Sequence, residues 1–258
     1  MPEISLTTLI VLCAAAAAAG WIDAVVGGGG LLLLPALLTG LPQAHPATVL
    51  GTNKAVAIVG TTGAAVSFAR KAPVNVRHAT RIGGAAMLGA AGGALLAAGI
   101  DKDALRPLIM AVLVLVAGFV VFRPGFGAVG AGGPVTRARV LTAIGLAGLG
   151  IGFYDGLIGP GTGTFLVLAL TALLHLDLLT ASATAKIVNV GTNLGALAVF
   201  SAQGRVLWQL AAVLAVFNLA GGMIGARTAV KQGTGFVRGV LLTVVCALVV
   251  KLGLDQWA

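Results

Sequence analysis

Apolar residues run along this chain in long blocks, interrupted at short intervals by a few polar or basic residues. The blocks cover about 4–26, 29–41, 47–69, 77–99 and 104–122, then about 138–158, 161–175, 180–201, 206–228 and 236–253. Most are long enough for a helix that crosses a bilayer, which takes roughly 20 residues. The second block of each set is shorter. At 1.5 Å per residue, thirteen residues reach about 20 Å, too little for a 30 Å hydrocarbon core. The pattern predicts an all-α, polytopic helical membrane protein in which each short block is a half-helix meeting the broken end of the block before it.

Composition agrees with this reading. Hydrophobic residues make up 59% of the 258, charged residues 9%, and mean hydropathy is +1.07. A soluble domain carries about 25% charged residues. The 39 glycines fit membrane helices, where small residues let backbones approach. The net charge of +9 does not indicate nucleic acid, because most Lys and Arg fall in short segments between apolar blocks, where membrane topology places them. Cys13 and Cys246 lie inside apolar blocks and are read as packing residues, with no disulfide framework or metal spacing. The N-terminal block lacks a basic leader and carries Glu3, so it is expected to be a retained span rather than a signal peptide.

Sliding the chain by 132 residues exposes a repeat. GWIDAVVGGGG (20–30) falls on GFYDGLIGPGT (152–162), and TVLGTNKAV (48–56) on TASATAKIV (180–188). Asp23 meets Asp155, Lys54 meets Lys186, Gly89 meets Gly221 and Arg106 meets Arg238, with no gap over about 90 residues. Matching Asp, Lys, Thr and Gly in one register marks a true duplication. The chain divides into a first repeat (1–122), a Gly- and Pro-rich linker (123–136) and a second repeat (137–258), each with about five segments.

Basic residues orient the repeats. Segments 70–81, 123–139 and 227–238 are rich in Lys and Arg and are expected to be cytoplasmic; 100–106 and 202–207 are not and are expected outside. Corresponding loops then fall on opposite sides, which predicts inverted repeats, a recurring transporter plan with the site where broken helices meet. If the short segments are re-entrant loops instead, each half has four spans and the repeats are parallel.

The glycine tracts carry candidate chemistry. Broken backbone at membrane depth must be buried in protein or line a wet cavity. The helix that follows Gly28, Gly29 and Gly30 presents free N–H groups and the positive end of its dipole, which suits an anion. Gly161, Thr162, Gly163 and Thr164 repeat the arrangement with added hydroxyls. The competing reading is that the glycines only permit close helix crossing. Lys54 and Lys186 lie within apolar segments, where a lysine is costly and by default functional. Snorkelling or a structural ion pair with Asp23 or Asp155 would also explain them. Thr52, Asn53, Asn189 and Asn193 add polar groups to the same two segments, and Lys186, Asn189 and Asn193 share a helix face. Asp23 and Asp155 could carry a coupling proton, pair with the lysines, or cap the broken helix. Tyr154, beside Asp155, could donate a hydrogen bond. No nucleophile–base constellation, metal set or nucleotide motif is present in the sequence, so no enzyme activity, metal or cofactor is expected.

GWIDAVVGGGGLLLLPALL with ATVLGTNK, and GFYDGLIGPGTGTFL with ATAKIVNVGTNLGAL, resemble the two half-signatures of the sulfite exporter TauE/SafE-like family, also called the toluenesulfonate uptake permease superfamily. The resemblance implies a multi-pass transporter of the bacterial inner membrane, with sulfite, organosulfonates or other small organic anions as substrates. It places the family's motifs on Gly27 to Gly30, Thr52 to Lys54, Gly159 to Thr164 and Lys186 to Asn193. The expected function is secondary transport of a small anion by alternating access, with proton coupling an option. Alternatives are an anion-selective channel or a carboxylate transporter. Expected partners are the anionic substrate and the lipid bilayer, with no nucleic acid; a homo-oligomer is compatible with the sequence.

Overall fold

The structure is a computed structural model that describes residues 4–101, 103–105, 107–109, 111–112 and 135–257. Among the described residues, the helices that organise it are α1 (Leu6–Val26), α2 (Gly29–Gly40), α3 (Pro46–Ala69), α4 (Val76–Gly99), α5 (Arg137–Leu157), α6 (Thr162–Leu174), α7 (Leu178–Ala202) and α8 (Trp208–Trp257). Six of them are long and apolar enough to cross a membrane; α2 and α6, of 12 and 13 residues, are not. Local sequence starts them. Ser5, Asn75, Thr136 and Asp177 accept backbone N–H bonds as N-caps of α1, α4, α5 and α7, and Pro46 opens α3. Within α5, Ile144–Gly150 is wound as a π-helix, a departure that α1 lacks.

The helices pack through glycine and alanine. α2 folds back beside α1, so that Gly40 lies against Thr8 and Leu12 near the start of α1. α6 folds back beside α5, and the Arg139 guanidinium donates to the Leu173 carbonyl at 3.4 Å. Each half therefore opens with a helical hairpin. Each hairpin packs on the other half: α1 runs alongside α8, with Ala17 and Trp21 against Gly221 and Gly225, while α5 runs alongside α4, with Gly152 and Gly156 against Ala86 and Ala90. α3 likewise runs with α8, Gly60 against Asn218, and α7 with α4, Gly195 against Met87. α3 and α7 pack antiparallel, Gly51 near the start of α3 meeting Phe200 near the end of α7 and Arg205 just beyond it. A β-carbon at most of these glycines would meet backbone of the facing helix, so small residues are what allow the approach.

Two expectations change. Blocks 206–228 and 236–253 are one continuous helix of 50 residues, α8, so Arg227, Lys231 and Arg238 lie on a helix rather than in a loop. The intervening AVKQGTGF has no proline, and isolated glycines cost about 1 kcal/mol each without ending a helix. Basic positions 77 and 81 likewise fall inside α4. The block 104–122 is helical at its described positions, which end at 112, with Leu105 and Ile109 in the core; the linker 123–136 lies outside the described residues except for 135 and 136.

Candidate functional site

The site grows from the two turns inside the hairpins. α1 ends where Gly27 takes φ 77°, and α2 starts two residues later. α5 ends before Gly159 (φ 90°) and Gly161 (φ 75°), and α6 follows at once. Such left-handed backbone suits glycine. The turns touch: a β-carbon on Gly27 would lie 2.6 Å from the Gly163 α-carbon, so neither position has room for a side chain. The Thr164 hydroxyl clasps them, donating to the Val26 carbonyl at 2.7 Å in a fully buried bond. No side chain caps either short helix. Their first N–H groups lack intrahelical acceptors, and Gly29, Gly30 and Gly163 face a common small cavity of about 30 Å³. Two positive helix ends therefore meet at one place.

Buried charges surround that place, and they pair across the repeats. Lys54 of α3 lies 2.7 Å from Asp155 of α5. Lys186 of α7 lies 2.9 Å from Asp23 of α1 and also donates to the Asp23 backbone carbonyl. Each lysine is the ninth residue of its helix, and each is 2% exposed. The pairs are not equivalent. Asp155 is sealed, its side chain 3% exposed, and its Oδ2 has the lysine ammonium beside it but no hydrogen-bond donor in proper geometry. Asp23 is 17% exposed at its side chain and accepts a further bond from the Thr61 hydroxyl at 3.3 Å. Gly159 is pressed against the first pair: a β-carbon there would come within 2.8 Å of both Lys54 Nζ and Asp155 Oδ1.

Most residues singled out from the sequence converge here. Asp23, Gly29, Gly30, Asn53, Lys54, Asp155, Thr162, Gly163, Asn189 and Asn193 line the cavity. Lys186 reaches it through its bond to Asp23. Others hold the frame instead. Thr52 turns away, donating to the Thr48 carbonyl and accepting the Leu207 N–H at 3.0 Å, which ties α3 to the α7–α8 turn. Tyr154 donates to the Pro160 carbonyl at 2.5 Å and packs edge-on against Phe165, fixing the second turn. Thr164 is the clasp, Gly161 is the left-handed N-cap of α6, and Gly28 is the N-cap of α2. Thr162 lines the cavity while its hydroxyl donates to the Gly159 carbonyl.

Two polar lining residues escape the sequence reading. Thr61 occupies the repeat position of Asn193, so the register could have found it. Asn218 of α8 has Ala86 at its repeat position and gives no such signal; its amide donates to the Ala16 carbonyl at 2.9 Å. Among the described residues there is no group of three or more His, Cys, Asp or Glu that could hold a metal ion. The arrangement offers backbone N–H groups, amide side chains and two ammonium groups whose charge is balanced by two carboxylates. It suits reversible capture of a small anion, and it contains no activated nucleophile.

The family model described as sulfite exporter TauE/SafE matches residues 12–252. A probable membrane transporter protein, ORF9, from Sinorhizobium sp is 35% identical over 224 residues, 86% of this chain and 83% of the relative. A probable membrane transporter protein of Haemophilus influenzae is 34% identical over 86% of each chain. The probable membrane transporter protein YfcA of Escherichia coli K12 is 32% identical over 86% of this chain and 81% of its own length. No solved structure matches the chain.

Proposed function

The chain belongs to the sulfite exporter TauE/SafE family, a family of multi-pass membrane transporters rather than enzymes, and we propose that it is a secondary transporter of a small anion, a sulfite, organosulfonate or related sulfur oxyanion, that works by alternating access. The observation that carries this reading is the pair of crossed, buried Lys–Asp bridges at two uncapped helix N-termini. An oxyanion seated among Gly29, Gly30 and Gly163 takes up their N–H groups and competes with a carboxylate for a lysine. The displaced aspartate is then an unpaired buried charge, and a proton relieves it. Substrate and proton thus bind together, with Asp23, the more accessible carboxylate, as the first acceptor.

Inverted repeats fit the packing. α3 and α7 hold the same place in the two halves and run antiparallel. An antiparallel pair of equivalent helices is what an inverted duplication produces. Arg70, Lys71, Arg137, Arg139 and Arg227 gather at one end of the bundle, which the positive-inside rule assigns to the cytoplasm.

The test is thermal stabilisation of the purified protein across sulfite, sulfate, thiosulfate, sulfoacetate, taurine and toluenesulfonate, with carboxylates as controls. A shift selective for sulfur oxyanions, lost in Lys186→Gln, supports the assignment. A shift with a carboxylate alone overturns the substrate class. In proteoliposomes, failure to accumulate the stabilising anion against its gradient under an imposed proton gradient overturns the transporter mechanism in favour of a channel.

A further inference from the structure

A second, larger cavity lies away from the site. It is a groove of about 670 Å³ between α3 and α8, floored by Ile58, Val66, Leu219 and Met223 and ending at Arg70, Lys71 and Arg227. Its wall is effectively apolar, since the hydroxyls of Thr62 and Ser67 are satisfied by the carbonyls of Ile58 and Gly63 one helical turn earlier. From Ile58 to Arg70 is twelve residues, about 18 Å of helix. That is close to the depth of one leaflet, about half of a 30 Å hydrocarbon core. The three cations are exposed, and no carboxylate forms an ion pair with any of them among the described residues.

The repeat supplies an internal comparison. At the same 132-residue offset, the groove between α4 and α7 shares nine of its lining positions, has a volume of about 410 Å³, and opens at the opposite end of the bundle. There Ala202, Gln203 and Leu95 stand where the first groove has Arg70, Lys71 and Arg227. The shared groove follows from the fold; the cationic end does not, because the duplicate lacks it. We propose that the α3–α8 groove is a binding site for an anionic phospholipid of the leaflet at the basic end. Its phosphate is held by Arg70, Lys71 and Arg227, and one acyl chain lies along Ile58, Val66 and Met223. The neutral groove between α4 and α7 takes no anionic lipid.

A general attraction of basic surface for acidic membranes is the rival account, and the experiment separates the two. The full chain is incubated with phosphatidylcholine micelles with and without one part in four of phosphatidylglycerol, and retained lipid is counted by native mass spectrometry beside thermal stability. One retained phosphatidylglycerol per chain is expected. Arg70→Gln/Lys71→Gln/Arg227→Gln weakens retention on the order of 100-fold, at roughly a factor of five per cation. The control Arg77→Gln/Arg81→Gln/Arg137→Gln, at the same end but outside the groove, retains it. Val66→Trp, which fills the groove at a half-exposed position and keeps every charge, loses it. Glycerol phosphate, a headgroup without chains, gives no stabilisation. Equal weakening by the two triple variants, retention in Val66→Trp, or full competition by glycerol phosphate would each overturn the proposal.

Discussion

The unequal sealing of the two ion pairs makes a quantitative forecast. Lys54→Gln removes the ammonium 2.7 Å from Asp155. At an effective dielectric of about 20, that separation corresponds to a gross attraction of about 6 kcal/mol. Much of it is offset by the desolvation of both groups, so the pair's net worth is smaller; the loss of one partner is nevertheless severe, about 3–5 kcal/mol, because the other charge is stranded. Asp155 is sealed, and its Oδ2 has no hydrogen-bond donor among the described residues, so it takes the full cost. Lys186→Gln strands Asp23, which keeps its Thr61 bond and partial contact with water, and about 1–3 kcal/mol is expected. At about 2–4 °C per kcal/mol for a chain of this size, Lys54→Gln lowers the apparent melting temperature by about 6–20 °C and Lys186→Gln by visibly less. The double change Lys54→Gln/Asp155→Asn removes both charges together and recovers about 2 kcal/mol or more relative to the sum of the single changes. The assay is tryptophan-fluorescence unfolding in detergent at neutral pH, with size-exclusion profiles confirming folded starting material. A milder effect at Lys54 than at Lys186, or strict additivity at Lys54 and Asp155, would refute the crossed pairing as the main electrostatic tie.

Three further outcomes are expected. Gly27→Ala fails to give folded protein, since its β-carbon meets Gly163 and its φ of 77° disfavours any side chain, whereas Gly30→Ala, with 3.6 Å to the nearest facing atom, folds but loses substrate-induced stabilisation; expression and thermal shift measure both. Thr164→Val removes the clasp and leaves the Val26 carbonyl without it, costing about 1–3 kcal/mol in the same unfolding assay. At the start of α7, partial burial pushes the Asp177 carboxyl up, but bonds from Thr180 and Leu179 outweigh it and hold the group below its ordinary value. Its contribution is therefore present above about pH 4 and is lost as pH falls through the lowered value; Asp177→Ala costs about 1 kcal/mol at neutral pH, and a pH series of melting temperatures should show that cost vanish in acid.

How far the sequence reaches depends on the range of the interaction. The repeat offset, the short α2 and α6 and the placement of Asp and Lys in apolar segments are local or periodic features, and each is legible. The partner of each lysine is not. Asp23 and Asp155 are chemically equal choices for Lys54, and only the packing of α3 against α7, and of each hairpin on the other half, decides for the crossed arrangement. The continuity of α8 was hidden for the opposite reason: its basic and glycine residues look like a loop, yet none of them forbids a helix. Asn218 could not be found because it breaks the repeat, entering from a helix whose duplicate carries alanine at that position.

The crossing also bears on how binding and movement could be linked. A cavity of about 30 Å³ holds roughly one water molecule, less than an oxyanion with three oxygens requires. Under the proposed mechanism, substrate can therefore enter only as the walls part, and the two Lys–Asp pairs are ties across those walls. Each pair joins α3 or α7 of one repeat to the opening hairpin of the other. An anion that draws a lysine from its aspartate loosens a contact between repeats in the same event that binds it. Had each lysine paired within its own repeat, occupancy would have changed the interior of one half and left the join between halves untouched. The exchange of partners is thus the feature that would let a small ligand bias a rigid-body shift, because its differential contact is made at the moving boundary.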